Sequence, residues 1–197
     1  AHGYLTGQKL SGKPVAIGFC PVEGLVDTMA DLSCYAGKRV LVTGHTGFKG
    51  SWLSLWLHRL GAEVHGISLA SPTSPNLYGL CGIKHLMQCR TVDIRNAEQL
   101  HVAVEAIQPQ VVFHLAAQSL VRLGYKDPLQ TFATNVMGTA NLLNSLRSSS
   151  ALKAVVVVTT DKVYQNLEQG YPFREQDPLG GHDPRSEERR VGKECRS

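Results

Sequence analysis

The sequence predicts an α/β fold, a doubly wound parallel sheet of about five strands with helices on both faces. Three observations predict it. From Lys38 onward, strand-like and helix-like runs alternate, the arrangement that buries a parallel sheet between helices. Val111–Leu115 and Ala154–Thr159 are almost continuously apolar, as strands covered on both faces are. The first strand-like run leads straight into three glycines and then a helix-like segment.

Each element has its own signals. Arg39–Thr43 is a short β-branched run and the first expected strand. Ser51–Leu60 is the first expected helix, with Trp52, Leu53, Trp56, Leu57 and Leu60 on a broad apolar face. Gly61 ends it, as glycine does at helix C-termini. Glu63–Leu69 is the second strand, and a loop with Pro72, Pro75 and Gly79 follows. Leu86–Val92 is the third strand. Asn96 caps a helix in which Leu100, Val104 and Ile107 recur at helical spacing, and Pro109 stops it. Val111–Leu115 is the fourth strand. Asp127-Pro128 reads as an N-cap with proline at the first helical position, opening a helix that runs to about Arg147. Ala154–Thr159 is the fifth strand. Residues 1 to about 36 hold scattered Gly and Pro with no sustained period, and Met29 is a candidate native start.

Composition narrows the classes. With 197 residues and 43% apolar content, the chain is long enough for one domain with a real core. Its apolar runs are too short to span a bilayer. No charged segment followed by a sustained apolar stretch opens it, so no signal peptide is expected. The five cysteines (Cys20, Cys34, Cys81, Cys89, Cys195) are odd in number and include no C-x-x-C pair. That argues against a disulfide framework and a zinc site, and for a reducing cytoplasm. The eight histidines show no metal-ligand spacing, and no metal is expected. Net charge is +4, of which +2 lies in Arg185–Ser197, with five basic and three acidic residues. This is neither a nucleic-acid footprint nor a membrane-binding pattern.

Candidate site residues cluster at the ends of the expected strands, the edge where doubly wound sheets bind ligands. Gly44, His45, Thr46, Gly47, Phe48, Lys49 and Gly50 follow strand one in a G-x-x-G-x-x-G pattern. Between a strand and a helix, such glycines hold a dinucleotide. One makes the tight turn, one lets backbone N–H groups approach the pyrophosphate, and one lets the helix pack close. The helix N-terminus adds free N–H groups and partial positive charge. Asp93, with Ile94 beside it, follows strand three; its carboxylate either accepts from an adenine amino group or caps the following helix. Ala116, Ala117 and Gln118 follow strand four; their small size suits either close approach of a cofactor or tight packing. Asn135 sits mid-helix, where asparagine is a mediocre helix former; it bonds backbone near a reacting centre or satisfies a local carbonyl. Thr160, Asp161 and Lys162 follow strand five and put a hydroxyl, a carboxyl and an amine together. They form either an acid–base group or a polar turn. The end of strand two, Ile67-Ser68-Leu69, has neither the acid nor the arginine that distinguishes NAD from NADP, so pattern alone leaves that choice open.

Taken together, T-G-x-x-G-x-x-G, Asp93, H-x-A-A-Q, T-N-V-x-G-T and T-D-K resemble the extended short-chain dehydrogenase/reductase family of nucleotide-sugar enzymes. Gly44-His-Thr-Gly-Phe-Lys-Gly50, Ala116-Ala-Gln-Ser-Leu-Val-Arg122 and Gly180-Gly-His-Asp-Pro184 resemble its subgroup of 4,6-dehydratases acting on CDP-glucose. The likeness covers roughly residues 37–184. It implies a Rossmann-like NAD-binding domain, a nucleotide-sugar substrate and a homo-oligomeric parent. It implies an internal redox dehydration: hydride leaves sugar C4 for NAD, water is lost across C5 and C6, and the hydride returns at C6. The product is CDP-4-dehydro-6-deoxyglucose, a step of deoxysugar biosynthesis. By the same resemblance, Thr160 hydrogen-bonds the C4 hydroxyl, Asp161 protonates the departing C6 hydroxyl, and Lys162 stands where relatives place a glutamate base.

After Pro184 the likeness stops. The family continues Y-S-x-S-K; this chain has Arg185 in the tyrosine's place and Arg189 in the lysine's. Residues 185–197 resemble an in-frame translation of a sequencing-library adapter and are expected to be an artefactual tail on a truncated, inactive chain. The alternatives are another nucleotide-sugar dehydratase or epimerase of the family, and a non-catalytic dinucleotide-sensing module.

Overall fold

In the computed structural model, the described residues are 32–160, 164 and 165, 172–174 and 176–180. Five parallel strands form one sheet: β1 (Arg39–Thr43), β2 (Glu63–Ser68), β3 (Gln88–Thr91), β4 (Val111–His114) and β5 (Ala154–Val157), in the order β3-β2-β1-β4-β5. The chain therefore reverses direction across the sheet between β1 and β4. That reversal opens a crevice at the strand C-termini, where doubly wound sheets bind ligands.

Alternation along β1 divides the core in two. Val40 and Val42 face helix α1 (Phe48–Arg59) and pack with Leu57, Ala62, Val64 and Val111. Leu41 faces α3 (Ala97–Ile107) and α6 (Gly138–Leu146) and joins Ile67, Leu100, Val112, Leu142 and Val155. A short helix α2 (Leu77–Leu80) and a 3₁₀ turn (Ile83–His85) occupy the expected loop before β3. Among the described residues, no helix is long and apolar enough to cross a membrane.

Several expectations are corrected. Helix α1 begins at Phe48, three residues early, so the last glycine of the motif lies inside the helix. Its buried face is Gly50, Ser51, Ser54 and Leu57; Trp52 and Trp56 are each 53% exposed. Small residues let the helix lie close to the sheet and leave the indoles at its flanks. The third strand is shortened to Gln88–Thr91 and is an exposed edge. The segment Asp127–Arg147 is not one regular helix. A further helix, α4 (Val121–Lys126), precedes it. After α5 (Pro128–Phe132), a π-helical turn (Ala133–Met137) interrupts the ladder before α6. Such turns are uncommon and gather at functional sites.

Candidate functional site

The three motif glycines do three separable jobs. Gly44 leaves β1 with φ +76°, and a Cβ there would strike the backbone of Leu115 and Ala116 after β4. Its N–H donates to the Ile67 carbonyl at 2.8 Å, so the turn is stitched to the neighbouring strand. Gly50 packs against the Gly44 carbonyl so closely that a Cβ would collide with it. Gly47 differs: a Cβ would meet nothing nearer than the Gly44 oxygen at 3.4 Å. The packing of the described residues does not require glycine at Gly47. Gly47 is exposed at the N-terminus of α1, where no side chain of the described residues caps the helix and the first N–H groups are available.

The other residues of the loop divide between inside and outside. Phe48 is 71% exposed, and Lys49 is exposed on the first turn of α1. His45 turns inward. Its ring is buried over Gly66, whose missing side chain makes room for it, and meets Tyr78 edge-on at 5.5 Å between centroids. Burial lowers its imidazole pKa, partly opposed by the Ile67 backbone, and among the described residues Nδ1 has no hydrogen-bond partner. The His45 side chain is thus closed off from solvent. Thr46 ties the loop to the end of β2: its Oγ1 lies 2.7 Å from Ser68 Oγ and donates to the Leu69 carbonyl at 2.9 Å.

A second loop, after β4, is held by side chains. Asn135 brackets the Gln118 peptide, accepting from its N–H at 2.8 Å and donating to its carbonyl at 2.9 Å. Asn135 is 3% exposed and sits in the π turn. Gln118 in turn donates to Thr131 Oγ1 at 3.0 Å and accepts from Leu120 N–H at 2.6 Å. Thr139 Oγ1 donates to the Asn135 carbonyl at 2.6 Å and lies 3.0 Å from His114 Nε2. His114 Nδ1 lies 2.6 Å from Thr43 Oγ1, which also accepts from Leu115 and Ala116 N–H at 3.2 Å each. One polar chain thus runs from the end of β1 to the π turn and fixes Ala116, Ala117 and Gln118 beside Gly44. Of its members, sequence reasoning singled out Asn135 and Gln118. Thr43, His114 and Thr139 entered it only as letters of the motifs, with no role given, and Thr131 was missed. Polar residues at the ends of β1 and β4 were the available signal.

Asp93 does not cap α3; Asn96 does, accepting from Gln99 N–H at 3.0 Å. Asp93 accepts from the Arg95 backbone at 2.9 Å and grips its guanidinium through both oxygens, the shortest contact 2.6 Å. The guanidinium holds the carboxyl pKa down. The Ile94 side chain is buried against Gly138, so only its backbone is available at the edge. Thr160 is buried at the end of the segment leaving β5. Asp161 and Lys162 lie outside the described residues, as do Met29, Gly181, Arg185 and Arg189. Tyr164, three residues on, forms an isolated antiparallel bridge with Leu179 and stacks on Phe173.

Comparison with known proteins gives the family and the fold. The family model described as GDP-mannose 4,6 dehydratase matches residues 41–188. CDP-glucose 4,6-dehydratase of Salmonella typhimurium is 49% identical over 158 residues, 80% of this chain and 44% of that protein. UDP-glucuronate 4-epimerase 1 of Arabidopsis thaliana is 32% identical, over 79% of this chain and 37% of that one. The solved structure of Thermus thermophilus UDP-glucose 4-epimerase in complex with NAD superposes with a TM-score of 0.68 at 28% identity, covering 80% of this chain and 49% of the other. The chain thus spans less than half the length of these relatives. The chain belongs to the GDP-mannose 4,6-dehydratase family, the nucleotide-sugar dehydratases and epimerases of the extended short-chain dehydrogenase/reductase fold.

Proposed function

We propose that this chain is the NAD-binding half of a CDP-glucose 4,6-dehydratase. The observation that carries the reading is Gly47, an exposed glycine that the packing of the described residues does not need, at an uncapped helix N-terminus at the sheet's reversal point. The backbone of Thr46–Gly50 would hold the pyrophosphate. The Ile94 backbone and Asp93 would meet the adenine, and Ala116-Ala117 would leave room for the rest of the dinucleotide. When bound, the nicotinamide supplies a reversible hydride acceptor. Thr160 would hydrogen-bond the sugar hydroxyl being oxidised, Asp161 would serve as the acid toward the departing C6 hydroxyl, and Lys162 would take the place of the base. A lysine in that role needs a lowered pKa.

The choice of CDP-glucose rests on the 49%-identical relative of that name. With arginines where the family has its tyrosine and lysine, the chain as written is expected to bind NAD without turning over CDP-glucose. The test has two arms. The 197-residue chain is titrated with NAD and assayed with CDP-glucose. Residues 37–184 are also exchanged for the matching part of the Salmonella typhimurium enzyme, and the chimera is assayed by mass spectrometry for loss of water from CDP-glucose, GDP-mannose and UDP-glucose. Dehydration of CDP-glucose alone is expected. A chimera preferring another nucleotide sugar favours a different member of the family, and turnover by the unmodified chain contradicts the predicted inactivity.

A further inference from the structure

Ser68 is the last residue of β2, the position from which a carboxylate ordinarily receives the adenosine ribose hydroxyls in NAD-binding sheets. Here it is a half-buried hydroxyl paired with Thr46. The protons of the pair can be assigned. Thr46 has one hydroxyl proton and donates it to the Leu69 carbonyl, so Ser68 donates to Thr46 Oγ1. The lone pairs of Ser68 Oγ then remain as a neutral acceptor at the end of the strand.

Among the described residues, the surrounding charges do not replace the missing acid. Glu63 lies at the opposite end of β2, about 16 Å away at the rise of a strand, and is bonded to His65. Asp93 lies two residues beyond Thr91, the register partner of Ser68, and Arg95 neutralises it through both carboxylate oxygens. A carboxylate at the end of β2 both binds the ribose 2′-hydroxyl and repels a 2′-phosphate. A neutral hydroxyl pair beside a compensated Asp93–Arg95 couple binds the hydroxyl without the repulsion.

We propose that the Thr46–Ser68 hydroxyl pair is the ribose-recognition element of this chain, and that it admits a 2′-phosphate, so the site takes NADP as well as NAD. The proposal rests on the dinucleotide reading given above. The test is calorimetric titration of the 197-residue chain with NAD and, separately, NADP, repeated with Ser68→Asp and with Ala70→Asp, an exposed position. Thermal unfolding of each variant establishes its fold. Dissociation constants for the two nucleotides within about tenfold of each other are expected for the unmodified chain. Each aspartate is expected to widen the ratio toward about a hundredfold by weakening NADP. An unmodified chain that already prefers NAD by about a hundredfold overturns the proposal and leaves the NAD reading standing. Folded aspartate variants with an unchanged ratio do the same. Binding of neither nucleotide overturns the NAD reading and the proposal with it.

Discussion

The two loops that meet at the sheet's reversal point are built on opposite principles. The loop after β1 is held by what its residues lack: Gly44 and Gly50 let backbone meet backbone where a Cβ would collide. The loop after β4 is held by what its residues carry: Asn135, Thr139, His114 and Thr43 link it through side-chain hydrogen bonds. Steric exclusion is written in the sequence as glycine spacing. A hydrogen-bond chain between segments distant in sequence has no such local mark. One loop shapes a cradle, and the other fixes the wall beside it.

Substitutions that attack each principle separate the two. Gly50→Ala drives a Cβ into the Gly44 carbonyl, a backbone atom unable to move alone, and is expected to cost about 3 kcal/mol in denaturant unfolding. Asn135→Ala strips both partners from the Gln118 peptide in a buried setting and is expected to cost about 2 kcal/mol. It should also speed amide hydrogen exchange at Gln118 and leave the glycine loop protected. Equal loosening of both loops would break the distinction.

A smaller effect concerns His45. Its folded pKa lies below the ordinary 6.5 because of burial, so the unfolded chain takes up the proton first as pH falls. The contribution of neutral His45 is complete above pH 6.5 and is lost as pH drops toward the folded value, with a slope of at most about 1.4 kcal/mol per pH unit. His45→Gln should flatten the fall in stability between pH 7 and pH 5. An unchanged slope would place the acid sensitivity elsewhere.

Much of the fold was legible. The bounds of β1 match the β-branched run Arg39–Thr43, and Asn96 caps its helix as its sequence position suggests. The π turn was not legible, because Asn135 reaches out of its own helix to Gln118, seventeen residues away. The inward turn of His45 was not read, although Gly66 inside β2 was a signal, since a glycine within a strand marks close approach of another group. The Asp93 reading stopped at two alternatives, adenine or cap. Its partner Arg95 stands only two residues on, yet the backbone turn that lets the guanidinium fold back onto the carboxylate is set by the chain leaving β3. Pattern brought out the glycine loop and Gln118 as candidates, but not the Thr46–Ser68 hydrogen bond. It needs β2 laid beside β1.

The central claim is that the glycine loop is a cradle for a dinucleotide and more than a packing device. Gly47→Ala tests it most directly, since its Cβ has room within the protein. The unfolding midpoint should change by less than about 0.5 kcal/mol equivalent, while calorimetric titration with NAD shows affinity weakened at least about tenfold. A folded Gly47→Ala chain that binds NAD as tightly as the unmodified one would contradict the account.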